Sequence, residues 1–355
     1  GIMSYQIHMK GYHDIRTLHQ IDSLYAWKHD QYFPPVSVEI SPAHICNQKC
    51  RFCYTHGRVA SGEMLRDDVL INSVTQLADA GVQAVFMQGT GEPLMHKSIG
   101  HAIEASGKRN LSIALSTNGV LLNSRLQERI LEHLFFIRFS VLDCDPQRYA
   151  YWHGCAEKQW ENLIENIRNA VHLRSKHNLQ LALLGTVYIQ EDTLESTYDS
   201  IRFFKELGLD YIIIQEATFT EYSPAGKRNY ASTFYSREQI EEMKEKVSSL
   251  SDQDFHVKIQ FPFNDDTLCS GLNKETWKNS YCQGIKFHSL IASDGGVYPC
   301  WRVWGRKEYS YGSLYENSFE EIWKGDKRRE IDAFLNSTPP GGQECSVCCI
   351  PKLNE

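Results

Sequence analysis

From Val36 onward, apolar positions follow two alternating periods. Short runs at 36–40, 84–88, 111–116, 136–142, 181–188 and 211–215 are rich in aliphatic and β-branched residues and read as strands. Between and after them, over 65–80, 99–106, 126–133, 160–174, 194–207 and 238–250, apolar residues return every three or four positions, the spacing of a helix with one buried face. Strand followed by helix, six times over, predicts an α/β fold. The sheet should be parallel with right-handed crossovers, part-closed into a (β/α)6 barrel that carries its chemistry at the strand C-terminal ends. Ahead of it, Ile15, Leu18, Ile21 and Leu24 recur at three-residue spacing within 12–30, which predicts a helix bracing or lidding the barrel. After Phe261-Pro262-Phe263 the chain changes to turns, aromatics and cysteines. The expected division is a lead segment 1–35, a barrel 36–262 and a small C-terminal domain 263–355.

Composition narrows the class. A chain of 355 residues, 42% hydrophobic and 23% charged, has ample material for a core. No apolar run approaches the ~18 residues of a membrane span, and the first residues lack the basic-then-apolar order of a secretory signal. Gly1-Ile2 before Met3 reads as a tag scar. A net charge of −7 with scattered Lys and Arg argues against a protein that tracks nucleic-acid phosphates. A cytoplasmic protein without membrane or nucleic-acid partners is expected. Eleven cysteines, an odd number, suit metal ligation better than disulfides in such a compartment. They group as Cys46, Cys50 and Cys53, then Cys144 and Cys155, then Cys269, Cys282 and Cys300, then Cys345, Cys348 and Cys349, which points to two metal sites.

The first group, Cys-x3-Cys-x2-Cys followed by Tyr54, lies just after the first strand. Structural zinc takes four closed ligands, whereas three thiolates suit a cubane iron–sulfur cluster with one iron left open. A lone Cys-x2-Cys pair would more often mean zinc or redox chemistry. Three further loops end strands. Gln88-Gly89-Thr90-Gly91-Glu92-Pro93 offers glycines for close backbone approach and a carboxylate for an ammonium. Ser116-Thr117-Asn118-Gly119 offers hydroxyl and amide groups suited to a ribose or a carboxylate, or else a plain strand-to-helix cap. Arg138-Phe139-Ser140-Val141-Leu142-Asp143 leads on to His153-Gly154. One ligand touching successive strand ends accounts for all of these loops.

In kind and order these motifs resemble those of the radical S-adenosylmethionine (SAM) enzymes, over residues from about 36 to the last cysteines. The resemblance implies a TIM-type partial barrel in which Cys46, Cys50 and Cys53 hold a [4Fe–4S] cluster whose fourth iron is chelated by SAM. It assigns Gly91 and Glu92 to the turn that meets the methionine ammonium, with Gln88 beside it. Thr90 stands where relatives have a second adjacent glycine. Ser116 and Asn118 resemble the ribose-side and methionine-side contacts, Ser140 and His153 those to the SAM carboxylate, and Tyr54 the residue beside adenine. Relatives often carry Arg where this chain has His153, and a helix-start histidine is the alternative.

A second signature runs Cys282-x12-Gly295-x4-Cys300, then Gly312-x4-Asn317-Ser318-Phe319-Glu320-Glu321-Ile322-Trp323, then Cys345-x2-Cys348. It resembles the SPASM/twitch extension, and the shorter twitch form fits. By that resemblance Cys282, Cys300, Cys345 and Cys348 close an auxiliary [4Fe–4S] cluster, with Cys349 the alternative last ligand; a zinc knuckle is the other reading. Asp294-Gly295 predicts a tight hairpin presenting Cys300.

Two [4Fe–4S] clusters and SAM imply a 5′-deoxyadenosyl radical that removes hydrogen from a substrate carbon, with an electron donor such as flavodoxin or ferredoxin as partner. The expected reaction is two-electron oxidation of a small hydroxylated substrate (a sugar, nucleotide sugar or aminocyclitol), the auxiliary cluster taking the second electron. Glu216 is the expected base, with Tyr188, Lys227, Arg228 and Gln260 as substrate contacts. The alternatives are peptide or protein side-chain modification, against which the ~35 residues before the barrel weigh as too short for a leader-binding module, and radical epimerisation with Cys269 as hydrogen donor. A two-site zinc protein is the non-enzymatic reading.

Overall fold

The computed structural model describes residues 21–56, 62–109, 111–217, 219, 222–226, 234–260, 282, 284–301 and 303–337. Helix α1 (Ile21–Lys28) precedes β1 (Ser37–Ile40), α2 (Asp67–Asp79), β2 (Ala84–Met87), α3 (Ile99–Gly107), β3 (Ser112–Thr117), α4 (Ser124–Ile130) and β4 (Leu134–Ser140). Two helices, α5 (Pro146–His153) and α6 (Glu157–Lys176), then lead to β5 (Ala182–Ile189), α7 (Thr197–Leu207), β6 (Tyr211–Glu216), α8 (Arg237–Ser248) and β7 (His256–Gln260). Strands β1 to β7 lie side by side in chain order, every neighbouring pair parallel. The strand–helix alternation read from the sequence is therefore the observed architecture, a partial barrel.

Strand periodicity sorts the side chains into two faces. On β6, Ile212 and Ile214 are fully buried with the helix-facing core, whereas Tyr211, Ile213 and Gln215 are part-exposed on the inner face. Val38 and Ile40 on β1, Val85 and Met87 on β2, and Ile137 and Phe139 on β4 fill the same helix-facing layer. Two elements of the barrel went unread in the sequence. Helix α5 is only eight residues long, too short for a period to show, and its start is set by Pro146 at N1 and by Asp145, whose side chain accepts from Arg148 N. Strand β7 is part-exposed at every position and so lacks the apolar signature of the inner strands.

The C-terminal region continues the same sheet. After α9 (Gly284–Phe287), β8 (His288–Ile291) pairs parallel with β1, from Ser37 opposite His288 to Ile40 opposite Ile291. Strand β9 (Gly296–Tyr298) turns back antiparallel through the expected Asp294-Gly295 hairpin, where Gly295 has φ +80° and Asp294 accepts from Gly296 N at 2.8 Å. Strand β10 (Gly312–Ser313) closes this edge. Helix α10 (Phe319–Lys324) starts with a reciprocal capping box between Ser318 and Glu321, and α11 (Asp326–Ser337) follows. Phe319 N donates to Gln76 on α2 (2.7 Å), and the buried Trp323 donates its indole N–H to Phe33 O (2.9 Å), so this region is bonded to the barrel. The boundary expected at 262/263 lies outside the described residues, as do 12–20 of the lead helix. The described α1 has no buried residue. No described helix is long and apolar enough to cross a membrane.

Candidate functional site

The triad loop leaves β1 and is pinned on two sides. Towards α5, Lys49 N donates to His153 O (3.0 Å) and Arg51 N to Trp152 O (2.8 Å). Gly154 ends α5 in the left-handed region (φ +57°), and a Cβ there would sit 2.2 Å from Lys49 O, so only glycine lets the loop lie so close. Gln48 holds the same side, donating to Tyr149 Oη (2.9 Å) and Gln159 Oε1 (3.1 Å). Towards β2, Glu92 N donates to Ile45 O (2.8 Å), and a Cβ on Gly91 would come within 2.4 Å of that oxygen. Thr90, the departure from adjacent glycines, is accommodated because its hydroxyl meets Ser41 Oγ (3.2 Å) and its carbonyl accepts from Thr55 (2.9 Å). Thr55 Oγ1 lies 3.2 Å from Cys53 Sγ.

Glu92 is buried and serves as a hub. Its Oε1 accepts from Leu94 N (3.0 Å) and Thr117 Oγ1 (2.6 Å), and its Oε2 accepts from Asn118 N (2.8 Å). Burial raises its carboxyl above the ordinary range, against the lowering effect of these donors. This carboxylate welds the β2 loop to the β3 loop, a role the sequence reading missed, and Thr117 was missed with it. Asn118 donates to Asn47 Oδ1 (2.7 Å) and lies 3.9 Å from Cys46 Sγ, which ties the β3 loop to the triad.

A second polar group lines the inner face. Gln88 donates to Glu39 Oε2 (2.5 Å) and accepts from Arg138 Nη2 (3.0 Å), while Arg138 Nε donates to Ser116 Oγ (3.2 Å). Trp301, next to Cys300, donates its indole N–H to Glu39. His288 Nε2 lies 3.6 Å from Glu39 Oε1, within ion-pair range, yet burial pushes the imidazole down to about 4; the ring is neutral near pH 7 and the contact is not an ion pair. Glu39 and Arg138 were not singled out as site residues, although their strand parity beside Gln88 and Ser116 was readable.

The remaining expected residues divide. Ser140 is on the inner face, opposite Thr186 on β5. Tyr188 packs its ring 5.0 Å from Phe52 of the triad loop, and Gln260 accepts from Gln215 (2.7 Å). Tyr54 is exposed beside the triad. His153 is wholly buried, its ring edge-on to Tyr149 at 4.0 Å, and both ring nitrogens lack a hydrogen-bond partner. Burial alone pushes it down to about 3, which leaves the ring neutral near pH 7. Glu216, the expected base, has the parity of Ile212 and Ile214 and is 9% exposed, which sets it on the helix-facing side of β6 and away from the inner face. Cys282 N donates to Asn336 Oδ1 (2.9 Å) on α11. Lys227, Arg228, Cys269, Cys345, Cys348 and Cys349 lie outside the described residues.

The donor set fits an iron–sulfur cluster. Cys50 is pushed well above the usual thiol range by burial and then by Cys53 and Cys46, and Cys46 is pushed up to about 12 by burial and then by Glu92, although its side chain is solvent-accessible at the loop's mouth. Among the described residues no three such side chains close on a bare metal ion, and the three thiols, on one short loop, suit the wider span of a cluster whose cationic iron would relieve their mutual repulsion as thiolates. The backbone packed tightly at Gly91 and the polar inner face beneath it suit a zwitterionic nucleoside ligand.

Comparison with known proteins agrees. The profile of the Radical SAM superfamily matches residues 40–204, and that of the SPASM iron–sulfur cluster-binding domain matches 282–349. A cysteine-type anaerobic sulfatase-maturating enzyme of Clostridium perfringens is 25% identical over 342 residues, 90% of this chain and 88% of that protein. A GTP 3′,8-cyclase of Aquifex aeolicus is 25% identical over 84% of this chain and 92% of its own length. A PqqA peptide cyclase of Granulibacter bethesdensis is 22% identical over 82% and 74%. Among solved structures, Streptococcus suis SuiB bound to S-adenosylmethionine superposes with a TM-score of 0.67 at 16% identity, over 90% of this chain and 76% of that one, and shares the fold.

Proposed function

The chain belongs to the radical SAM superfamily and carries a C-terminal SPASM domain, with SAM and two [4Fe–4S] clusters as its cofactors; from that premise we propose that it modifies a side chain of a peptide or protein. The carrying observation is the similarity to the sulfatase-maturating enzyme along both the barrel and the C-terminal region. The peptide cyclase supports the same reading. Oxidation of a sugar or aminocyclitol, the main expectation from the sequence, gains no support from these relatives. The GTP cyclase keeps a nucleotide substrate as the second reading.

When bound, SAM and its cluster supply a carbon-centred radical able to take hydrogen from an unactivated carbon. Cys46, Cys50 and Cys53 hold that cluster, on a loop fixed by Gln48, Asn118 and the α5 terminus. Glu92 joins the strand-end loops that would surround SAM, and Ser140 and the backbone at Gly91 would help to hold it. Cys282, Cys300, Cys345 and Cys348 would hold the auxiliary cluster. The inner face of β1 to β5 receives the substrate and keeps water from the reacting carbon.

Extract from cells grown in deuterated medium, fractionated by size and incubated anaerobically with the reconstituted enzyme and unlabelled SAM, tests the reading. Deuterium should appear in 5′-deoxyadenosine with the macromolecular or peptide fraction and disappear after protease treatment of that fraction. Label arising from a protease-resistant small-molecule fraction would overturn the peptide reading.

A further inference from the structure

Arg138 is a cation on the inner face of the barrel with no carboxylate beside it among the described residues. It sits on the inner face of β4, half-buried, with its guanidinium carbon 4.9 Å from the centroid of Phe86 on β2. Of its five N–H donors, one goes to Ser116 Oγ (3.2 Å) and one to Gln88 Oε1 (3.0 Å). Among the described residues no carboxylate lies within 4.0 Å of it, whereas nine other arginines each have one. Glu39, an acid on the same face, is bridged to it through Gln88 and is itself bonded to Gln88 and Trp301. Stacking on Phe86 and bonding to two strand ends fix the guanidinium plane, so its remaining donors are presented ready-made.

We propose that Arg138 is the recognition point for a carboxylate of the substrate. The proposal rests on the reading of a peptide substrate and gives that substrate its chemistry: an acidic side chain, or a C-terminal carboxylate, at or next to the modified residue. Three features favour substrate over SAM as the source of that carboxylate. Arg138 lies two residues, one inward-facing step, before Ser140 on β4, deeper in the barrel than the strand-end loops. It is bonded to β2 and β3 side chains and not to the triad loop. Tyr188, whose ring lies 5.0 Å from Phe52 of the triad loop, shares the inner-face parity of Leu184, the β5 residue paired with Arg138, so a group held by Arg138 lies on the same wall as the triad loop's neighbour. A planar guanidinium accepts a carboxylate through two parallel hydrogen bonds, a geometry that a neutral amide does not reproduce.

The test is calorimetry on the anaerobic, reconstituted, SAM-loaded full chain. The probes are N-acetyl-Ala-Glu-Ala-amide, its Gln counterpart, N-acetyl-Ala-Ala-Ala with a free C-terminus, and glutarate. The Glu peptide should bind at least tenfold tighter than the Gln peptide, and Arg138→Met should erase that preference while SAM affinity and iron content stay unchanged. A preference for the free C-terminus over its amide would place the carboxylate at the chain end. Where Arg138→Met fails to retain iron, Arg138→Gln, which keeps a donor without the charge, gives the same reading. No Glu-over-Gln or C-terminal preference, a preference that survives in the variants, or a loss of SAM affinity in place of anion affinity would overturn the proposal. If no peptide binds but glutarate does so through Arg138, the anion site stands and the peptide reading falls. If neither binds, the site falls whatever the substrate.

Discussion

A single buried ring shows how the site constrains its residues. The motif order assigns His153 to the SAM carboxylate; in the structure it is a neutral wedge between Tyr149 and Phe52, with no hydrogen-bond partner for either nitrogen among the described residues. Its ordinary value of 6.5 is pushed down to about 3 by burial. Below 6.5 the unfolded chain therefore takes up a proton that the folded chain refuses, so stability is full above that value and is lost as pH falls towards about 3. Between pH 7.5 and 5.5 this one group should cost about 1 kcal/mol. His288 shifts in the same direction and adds to the wild-type slope, so the comparison must be made against a variant. Urea melts of His153→Phe, which keeps a ring and removes the proton, should show a shallower loss of stability over that interval than wild type. Equal slopes would mean that the imidazole is not held neutral.

Among the elements, the triad loop and α5 behave as one unit, and Gly154 is where they join. Two backbone hydrogen bonds run from the loop to the last carbonyls of α5, and the positive φ of Gly154 leaves no room for a side chain against Lys49 O. Gly154→Ala adds a left-handed strain of about 1–2 kcal/mol and a contact that backbone atoms cannot relieve without parting. The helix and barrel should persist by circular dichroism, while iron bound after reconstitution falls by about half, the share of the first of two four-iron clusters. Unchanged iron would show that the loop does not depend on this joint. The cysteine spacing and the strand–helix order were legible because each rests on local sequence: a ligand loop of fixed reach and the two periods of apolar residues. The joint itself was not, since α5 is too short to show a period and its contact with Lys49 spans about a hundred residues of chain. The side to which Glu216 turns was illegible for a related reason. Position at a strand end was readable, but the register that turns Gln215 inward and Glu216 towards the helices follows from the paired strands, and a one-residue shift exchanges the two faces.

At the scale of the molecule, the C-terminal region is tied to the barrel along β1. The sequence placed a boundary after Pro262, and composition does change there, but composition carries no information about which strand a later segment will join. Strand β8 takes the edge of β1 over four paired residues, and Trp323 and Phe319 anchor α10 to Phe33 and Gln76. Two kinds of lesion should therefore separate. Ending the chain at 281 would strip β8 from β1 and leave an apolar parallel strand, with Val38 and Ile40, as an open edge; aggregation or loss of the folded fraction is expected on gel filtration. Replacing Cys282 and Cys300 together by Ala leaves the strand pairing intact, so that variant should stay monodisperse, lose about four of about eight irons, and still cleave SAM reductively. Net turnover of substrate should be lost if the auxiliary cluster accepts the second electron. A truncated chain that stays folded and holds four irons would establish the barrel as an independent domain and remove β8 from its stability. A double cysteine variant that keeps all eight irons would take Cys282 and Cys300 out of the second cluster, leaving the sheet continuity with β1 as the reason this region is attached.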